Sequence, residues 1–352
     1  MPSRAARLLG LTAAAVAAGA AALWALAPPR AGDDLPGWDR GGPGARGAAT
    51  GSLTILAYNL EGLPPPARWG RAGQLRMIAD QLAAMRRVGE APQIVLLQEA
   101  FIDPGPTIEE IAGYRYVVQG PRQPNTARPA TAAERAFAAQ ALRTKGEGAG
   151  KWIGSGLRIL SDYPIVAVRK LAFPAWMCAG FDCLANKGVL LAWIAVPGSP
   201  RPVPVIDTHL QSMRLAGVPG ARSGEAYAMQ VRAMKAFVAA NVPAESAVFF
   251  GGDFDTEDEA RRALFTEPPL AGARNALEDA LAHPNTIAAS DRANLLAVVA
   301  HGVDRLYYRG ASGWPVALER FATPFGPRDD GTMLSDHIGY TARFAVGPQR
   351  AS

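Results

Sequence analysis

The chain has 352 residues, of which 49% are hydrophobic and 19% are charged. This composition excludes an intrinsically disordered protein, and the length allows one large domain or two small ones with a substantial core. The formal net charge of +5 is too small to indicate nucleic-acid binding by charge alone.

The N-terminal segment is predicted to direct the protein out of the cytoplasm. Arg4 and Arg7 precede residues 8–27, an apolar stretch that no charge interrupts. The stretch is long for the hydrophobic part of a signal peptide and just long enough to span a bilayer as a helix. Residues 1–27 are therefore either a cleaved signal peptide or an uncleaved membrane anchor, and the protein is predicted to be secreted, periplasmic or membrane-anchored.

The remainder is predicted to be a linker followed by a folded domain. Residues 28–50 are rich in Gly, Pro and Arg and show no apolar periodicity, whereas apolar runs recur throughout residues 51–347. Within this domain, short apolar runs predict strands and helical spacing predicts two long helices. The predicted strands are residues 53–58, 93–97, 157–161, 165–171, 188–196, 203–207, 247–250, 303–308 and 338–344, and the helices are 74–88 and 222–241.

The order of these elements predicts the fold class. Strands outnumber helices, and helices intervene after the first strand and before the strand at 247–250. Such mixed order predicts two packed sheets with helices outside, an α/β sandwich. Residues 119–151 are polar and Ala-rich, with a predicted helix at 132–143, and are interpreted as an insertion over a surface or a mobile lid.

A loop with two cysteines and several large apolar side chains follows the strand at 165–171. Cys178 and Cys183 are the two cysteines of the chain, and in an exported protein they can form a local disulfide or remain reduced. Aromatic side chains on such a loop suit a membrane surface or packing beneath the loop. The residues proposed for membrane contact are Phe173, Trp176, Met177 and Phe181.

Polar side chains stand at the ends of several predicted strands, where a rigid sheet can direct them into one cleft. Divalent cations such as Mg²⁺ take oxygen ligands, and a phosphoester needs its charge neutralised and a base to activate water. The pattern therefore predicts a metal-dependent phosphoesterase, although each residue alone could be a turn former or a buried core residue. The polar groups are Asn59, Glu99, His209, Asp253, Asp255, Asp336 and His337.

The order of these motifs resembles the endonuclease/exonuclease/phosphatase superfamily, which has the fold of pancreatic deoxyribonuclease. The matching pieces are "LAYNLEG", "IVLLQEAF", "SGLRILSDYPI", "IDTHLQS", "FFGGDFDTE", "HGVDRLYY" and "LSDHIGY", which together extend over residues 53–344. The resemblance implies a four-layer α/β/β/α sandwich with two packed mixed sheets. It also implies that residues 51–347 are a catalytic domain.

The resemblance further implies a metal site. By position, Glu99 is similar to the main Mg²⁺ ligand of the family, with Asn59 and Asp336 as further ligands. Mn²⁺ is the alternative ion.

Four other residues match catalytic positions of the family. His337 is similar to the base or proton-transfer partner, and Asp304 to the acid that orients its imidazole. His209 is similar to a donor to a phosphate oxygen, and Asp253 to the carboxylate that positions or activates the attacking water.

Two further residues, Asp255 and Lys187, are predicted to bind substrate, and each has more than one possible role. The family usually has Asn where this chain has Asp255, and an ionised carboxylate cannot donate a hydrogen bond to phosphate. Asp255 is therefore expected to be protonated, to hold a second cation or to be turned aside. Lys187 lies in "NKG", which resembles the neutral sphingomyelinase branch, and is either a cation near the phosphate or an exposed strand-edge lysine.

The predicted function is an exported, Mg²⁺-dependent phosphodiesterase, with a phospholipid-type substrate favoured and a sphingomyelinase C-like activity. One alternative is a secreted or periplasmic nuclease, for which more Arg and Lys would be expected among the aromatic residues of the cysteine loop. A second alternative is a non-catalytic binding protein on the same fold. No protein partner is predicted.

Overall fold

The computed structural model describes residues 51–347 together with the short strand Trp38–Asp39. No helix in this part of the chain is long and apolar enough to cross a membrane. The signal peptide or anchor predicted at residues 1–27 lies outside the described residues, as does most of the linker, so both stay predictions.

The described residues form two β-sheets, of seven and six strands. In chain order the strands are β1 (Trp38–Asp39), β2 (Ser52–Asn59), β3 (Ile94–Gln98), β4 (Tyr116–Gln119), β5 (Arg158–Ser161), β6 (Ile165–Ala172), β7 (Gly188–Ile194), β8 (Val203–His209), β9 (Val248–Asp253), β10 (Arg274–Asn275), β11 (Asp304–Arg309), β12 (Val316–Phe325) and β13 (Gly339–Val346). The α-helices are α1 (Arg71–Arg87), α2 (Ile108–Ala112), α3 (Ala132–Ala139), α4 (Gly220–Asn241), α5 (Glu259–Ala263), α6 (Ala276–Ala282) and α7 (Arg292–His301).

Both sheets are mixed and are built in the same way. The first has the order β1-β4-β5-β3-β2-β13-β12, and the second β10-β11-β9-β8-β7-β6. Each contains one parallel pair, β2 with β3 and β8 with β9, whereas their other pairings are antiparallel. The strands of a parallel pair need a crossover connection, which α1 supplies in the first sheet and α4 in the second.

The two sheets pack face to face, with the long helices on their outer faces. Leu53 and Ile55 of β2 point into the core between the sheets, where they join Phe249 of β9. The intervening Leu56 faces the other way and packs with α1, while α4 covers the outer face of the second sheet. Buried strands therefore carry apolar residues on both faces, and the predicted four-layer sandwich is confirmed.

Strand β12 and helices α6 and α7 were not expected from the sequence. In β12, exposed and buried residues alternate, and Glu319 and Arg320 interrupt the apolar pattern. The strand lies at the edge of the first sheet, so its outer side needs no apolar side chains. An edge position explains why its sequence lacks the apolar run that marked the central strands.

Residues 119–151 are tied to the surface of the second sheet. Phe137 of α3 is buried against the core beneath α4, and its ring lies 3.5 Å from the Arg222 guanidinium carbon. Glu147 pairs with Arg222 at 2.7 Å and accepts a hydrogen bond from the Gly180 backbone N–H at 2.9 Å. These contacts agree with the interpretation of residues 119–151 as an insertion over a surface.

The cysteine loop differs from the prediction in its aromatic residues. Cys178 and Cys183 form a disulfide, which confirms one of the two predicted states. Phe173 and Met177, however, are buried in the core between the second sheet and α4, so their predicted contact with a membrane is wrong. Phe181 is the exposed member of the set, at 48%. Partly buried Trp176 packs against the same core, and its indole N–H donates to the Ala127 carbonyl.

Candidate active site

The sheet register brings the polar strand ends together at one end of the sandwich. In the parallel pairs, Asn59 lies opposite Gln98, and His209 lies opposite Asp253. Asp304, the first residue of β11, also lies opposite Asp253 because β11 and β9 are antiparallel. The cleft at this end has a volume of about 260 Å³. Its lining includes Glu61, Arg68, Glu99, His209, Arg214, Asp253, Asp255, Glu257, His301, Asp336 and His337, and no residue of 119–151.

His337 and Asp304 form the closest contact between catalytic candidates. The Nδ1 atom of His337 lies 2.8 Å from Asp304 Oδ2, and its Nε2 atom faces Asp253 Oδ2 at 3.7 Å. Burial opposes the charged imidazole, yet Asp304 and Asp253 raise the pKa of His337 well above its usual value. The contact with Asp304 fixes the orientation of the imidazole in the cleft and favours its protonated form.

Asp253 is held as a carboxylate. It accepts hydrogen bonds from the Asn59 side-chain N–H₂ at 2.9 Å and from the Asp255 backbone N–H at 3.0 Å. Burial would raise its pKa, but the neighbouring His209, His337 and Lys187 hold the pKa below its usual range. An ionised carboxylate with this support can orient a water molecule.

Asn59 links the two sheets through this carboxylate. Its Oδ1 atom accepts a hydrogen bond from the Glu61 backbone N–H at 3.0 Å, while its Nδ2 donates to Asp253. An amide oxygen has a second lone pair, so the role predicted for Asn59 as a metal ligand stays a prediction.

Glu99 occupies an unusual backbone conformation. Its φ angle is 51°, and the other described non-glycine residues with positive φ are Glu61 and Asp255, at 49° and 48°. All of them line the cleft. Left-handed backbone at such residues costs of order 1–3 kcal/mol each and clusters at functional sites. Glu99 Oε1 lies 4.0 Å from His209 Nε2, and burial raises the pKa of the Glu99 carboxyl.

Asp255 faces the cleft, so it is not turned aside. Its Oδ2 atom lies 3.5 Å from His209 Nε2 and 3.7 Å from Lys187 Nζ. Lys187 is buried, which excludes the exposed strand-edge alternative, and its Nζ pairs with Asp182 at 2.8 Å and donates to the Leu210 carbonyl at 2.6 Å. Cationic neighbours thus accommodate the carboxylate that replaces the expected amide.

Several residues of the cleft were missed by the sequence reasoning. Glu61 accepts a hydrogen bond from the Asp336 backbone N–H at 3.2 Å, and its position in "NLEG", two residues after Asn59, was a usable signal. His301 ends α7, and its ring centroid lies 5.5 Å from that of His337. Arg68 and Arg214 reach the cleft from irregular loops, where no sequence period marks them.

Comparison with known proteins identifies the fold. No protein-family model matches the chain, and neither does any curated protein. Solved structures match over most of it. D. rerio TDP2, humanised by 14 mutations, has a TM-score of 0.53 at 16% identity and covers 84% of this chain and 99% of its own. SmcL has a TM-score of 0.51 at 19% identity and covers 84% and 99%. An endonuclease/exonuclease/phosphatase protein from Beutenbergia cavernae has a TM-score of 0.51 at 15% identity and covers 86% and 73%.

This chain has the endonuclease/exonuclease/phosphatase fold. At such low identities, the likeness establishes the fold alone. The expected superfamily resemblance and fold class are confirmed.

In this endonuclease/exonuclease/phosphatase fold, the donor set of the cleft fits a divalent cation. Asp336 Oδ1 lies 3.9 Å from His337 Nε2, on the same cleft as Glu99. Two groups of residues each place their ligand atoms within 4.8 Å of one another: His209, Asp253 and Asp255 form one, and His301, Asp304 and His337 form the other. Neither group includes the predicted ligands Glu99, Asn59 and Asp336, so their role in binding Mg²⁺ stays a prediction. The buried Asp255 Oδ2 accepts no hydrogen bond among the described residues. Crowded carboxylates repel one another, and a hard cation with oxygen ligands relieves that repulsion.

Proposed function

We propose that the protein is an exported, Mg²⁺-dependent phosphodiesterase that acts on a phospholipid-type substrate. The observation that carries the reaction type is the line from Asp304 through His337 to Asp253. The His337 imidazole contacts Asp304 at 2.8 Å and Asp253 at 3.7 Å, with further carboxylates in the same cleft. Export rests on residues 8–27, which a fractionation of the whole chain would test.

The residues of this chain can divide the reaction among themselves. Asp253 orients the attacking water and accepts its proton as the water oxygen forms the new bond to phosphorus. His337 donates its proton to the oxygen that leaves as the old phosphorus–oxygen bond breaks. Buried His209 and Lys187 supply donors for the phosphoryl oxygens. A Mg²⁺ ion held by Glu99 and Asp336, with Asn59, would neutralise the charge that grows on those oxygens.

The lipid class is supported by two features. Lys187, whose "NKG" motif resembles the neutral sphingomyelinase branch, is buried beside Asp255 at the cleft. Exposed Leu215 lines the cleft, and exposed Trp69 follows Arg68 of the lining. Nucleic acid is the second candidate, because D. rerio TDP2, with a TM-score of 0.53 at 17% identity, has been solved with a single-strand DNA product.

A substrate panel with the whole chain tests the proposal. We expect hydrolysis of bis(p-nitrophenyl) phosphate and of phospholipid vesicles, lost in EDTA and restored by Mg²⁺, with little cleavage of plasmid DNA. His337→Ala and Glu99→Ala should each lower kcat by about a hundredfold or more, since each removes a group that acts on the reacting phosphate.

The matched controls are His283→Ala and Glu90→Ala, both at exposed positions away from the cleft. Faster cleavage of DNA than of lipid would favour the second candidate. Binding without hydrolysis, or full activity in both site variants, would contradict the proposed phosphodiesterase.

A further inference from the structure

The mouth of the cleft is flanked by two loops that hold equivalent places in the two sheets. One runs from β2 to α1 and the other from β8 to α4, so each begins the connection within a parallel pair. Each loop carries an arginine of the cleft lining followed by a large exposed apolar residue. The pairs are Arg68-Trp69 and Arg214-Leu215.

The guanidinium of Arg68 is exposed at the cleft. Its Nη2 atom lies 2.5 Å from Glu61 Oε1, and the side chains are 54% and 10% exposed. The other Glu61 oxygen accepts the hydrogen bond from the Asp336 backbone N–H. The carboxylate is therefore turned inward and held, while the cation faces the solvent at the cleft.

Arg214 has the same arrangement on the opposite loop. Its Nε atom lies 2.9 Å from Glu257 Oε1, with side-chain exposures of 67% and 12%. Its Nη2 atom lies 3.3 Å from His301 Nε2, beside the His337 ring. Although Glu257 Oε2 has no hydrogen-bond partner among the described residues, that oxygen is buried, so the guanidinium meets the substrate first.

The described lining of the cleft offers no aromatic ring to a choline group. Quaternary ammonium groups are recognised by the faces of aromatic rings. Among the described residues, the cleft lining contains no Phe, Tyr or Trp. Its exposed charges are Arg68, Arg214 and Asp336, and Asp336 is a proposed metal ligand.

We propose that Arg68 and Arg214 select a phospholipid whose headgroup is negatively charged and disfavour one with a choline headgroup. This inference rests on the proposed phosphodiesterase function and names the substrate class of the same site. Exposed Leu215 beside Arg214 suits a lipid surface, since a leucine offers no ring for base stacking. Trp69 beside Arg68 suits a lipid surface and a nucleic-acid base alike.

A series of headgroups on one soluble dihexanoylglycerol tests the selection. The members are phosphatidylglycerol phosphate, phosphatidylglycerol and phosphatidylcholine, whose headgroups are negative, neutral and positive. We expect kcat/KM to fall along this series, mainly through KM, by about tenfold between its ends, the effect of one charge-assisted hydrogen bond.

Arg68→Met and Arg214→Met should each reduce that ratio, and Arg68→Lys should largely restore it. Arg76→Met is the matched control, because Arg76 is similarly exposed and pairs with Asp80 on α1, away from the cleft. Calorimetric binding of glycerol bisphosphate and of phosphocholine to the Mg²⁺-loaded protein gives a readout that needs no turnover.

A wild-type series that is flat or reversed would overturn the selection, as would equal ratios in the arginine variants and in Arg76→Met. A thymidine trinucleotide hydrolysed faster than every lipid would overturn the lipid class. Failure to hydrolyse bis(p-nitrophenyl) phosphate would contradict the phosphodiesterase itself, whereas the calorimetric comparison would still decide the headgroup preference.

Discussion

At the scale of single residues, the cleft is built from groups that alter one another's charge. Asp304 and Asp253 favour the protonated form of His337, and the cations around Asp253 favour its ionised form. Without these neighbours, burial would favour a neutral His337 and a neutral Asp253. The same arrangement therefore favours both the protonated imidazole of His337 and the ionised carboxylate of Asp253.

Replacement of Asp304 tests this coupling. In Asp304→Asn, the charge that raises the pKa of His337 is reduced and its oriented acceptor is replaced by an amide. We expect kcat to fall by about a hundredfold and the alkaline limb of the pH profile to move to lower pH, since the imidazole loses its proton earlier. NMR titration of His337 measures the same shift directly.

Asp80→Asn serves as the control, because Asp80 is exposed on α1 and pairs with Arg76. An unchanged His337 titration in Asp304→Asn would refute the orienting role.

At the scale of elements, the segment 119–151 depends on one buried carboxylate. Glu147 binds Arg222 of α4 and accepts backbone hydrogen bonds from Gly180 and Leu142. Burial alone would raise the pKa of Glu147, but these hydrogen bonds hold it below its usual value. The segment, the cysteine loop and α4 therefore meet at one ion pair.

The lowered pKa makes this contribution to stability depend on pH. A depressed carboxyl pKa gives stability that is present above the unfolded pKa, about 4.3 for Glu, and lost as the pH falls through the folded value. We expect Glu147→Gln to lower the free energy of unfolding by about 1–3 kcal/mol at pH 7. Urea unfolding of both proteins should show that difference shrinking below about pH 4. A difference constant with pH would contradict the ionic contribution.

The cysteine loop allows a direct test of which aromatic side chains support the core. Phe173→Ala should lower the free energy of unfolding by about 3–5 kcal/mol because it leaves a cavity under the loop. Phe181→Ala, on the same loop, should change it by less than about 0.5 kcal/mol because that ring is half exposed. Equal losses of unfolding free energy in the two variants, measured by thermal or urea unfolding, would contradict the inward packing of Phe173.

At the scale of the whole molecule, the sequence predicted the sandwich fold and the cleft at its end, because the fold follows from the order of the strands and the cleft from the residues that end them. The central strands are buried on both faces, so their apolar runs were visible, and the polar residues that end them marked the cleft. The edge strand β12 was missed because half of its side chains need no burial. Arg68, Arg214 and the inward direction of Phe173 depend on loop paths, which no periodic pattern encodes.

The hydrogen bonds between the sheets have a further consequence. Asn59 of β2 binds Asp253 of β9, Gln98 of β3 binds Asp207 of β8 at 2.6 Å, and His337, just before β13, binds Asp304 of β11. Each bond joins a group from one sheet to a group from the other. The distances between the reactive groups therefore depend on how the two sheets are aligned. A shift of one sheet by an ångström would leave every strand intact and still separate donor from carboxylate. Catalytic turnover is therefore more sensitive to the alignment of the two sheets than secondary-structure content is. We expect activity to be lost in mild denaturant before any strand unfolds.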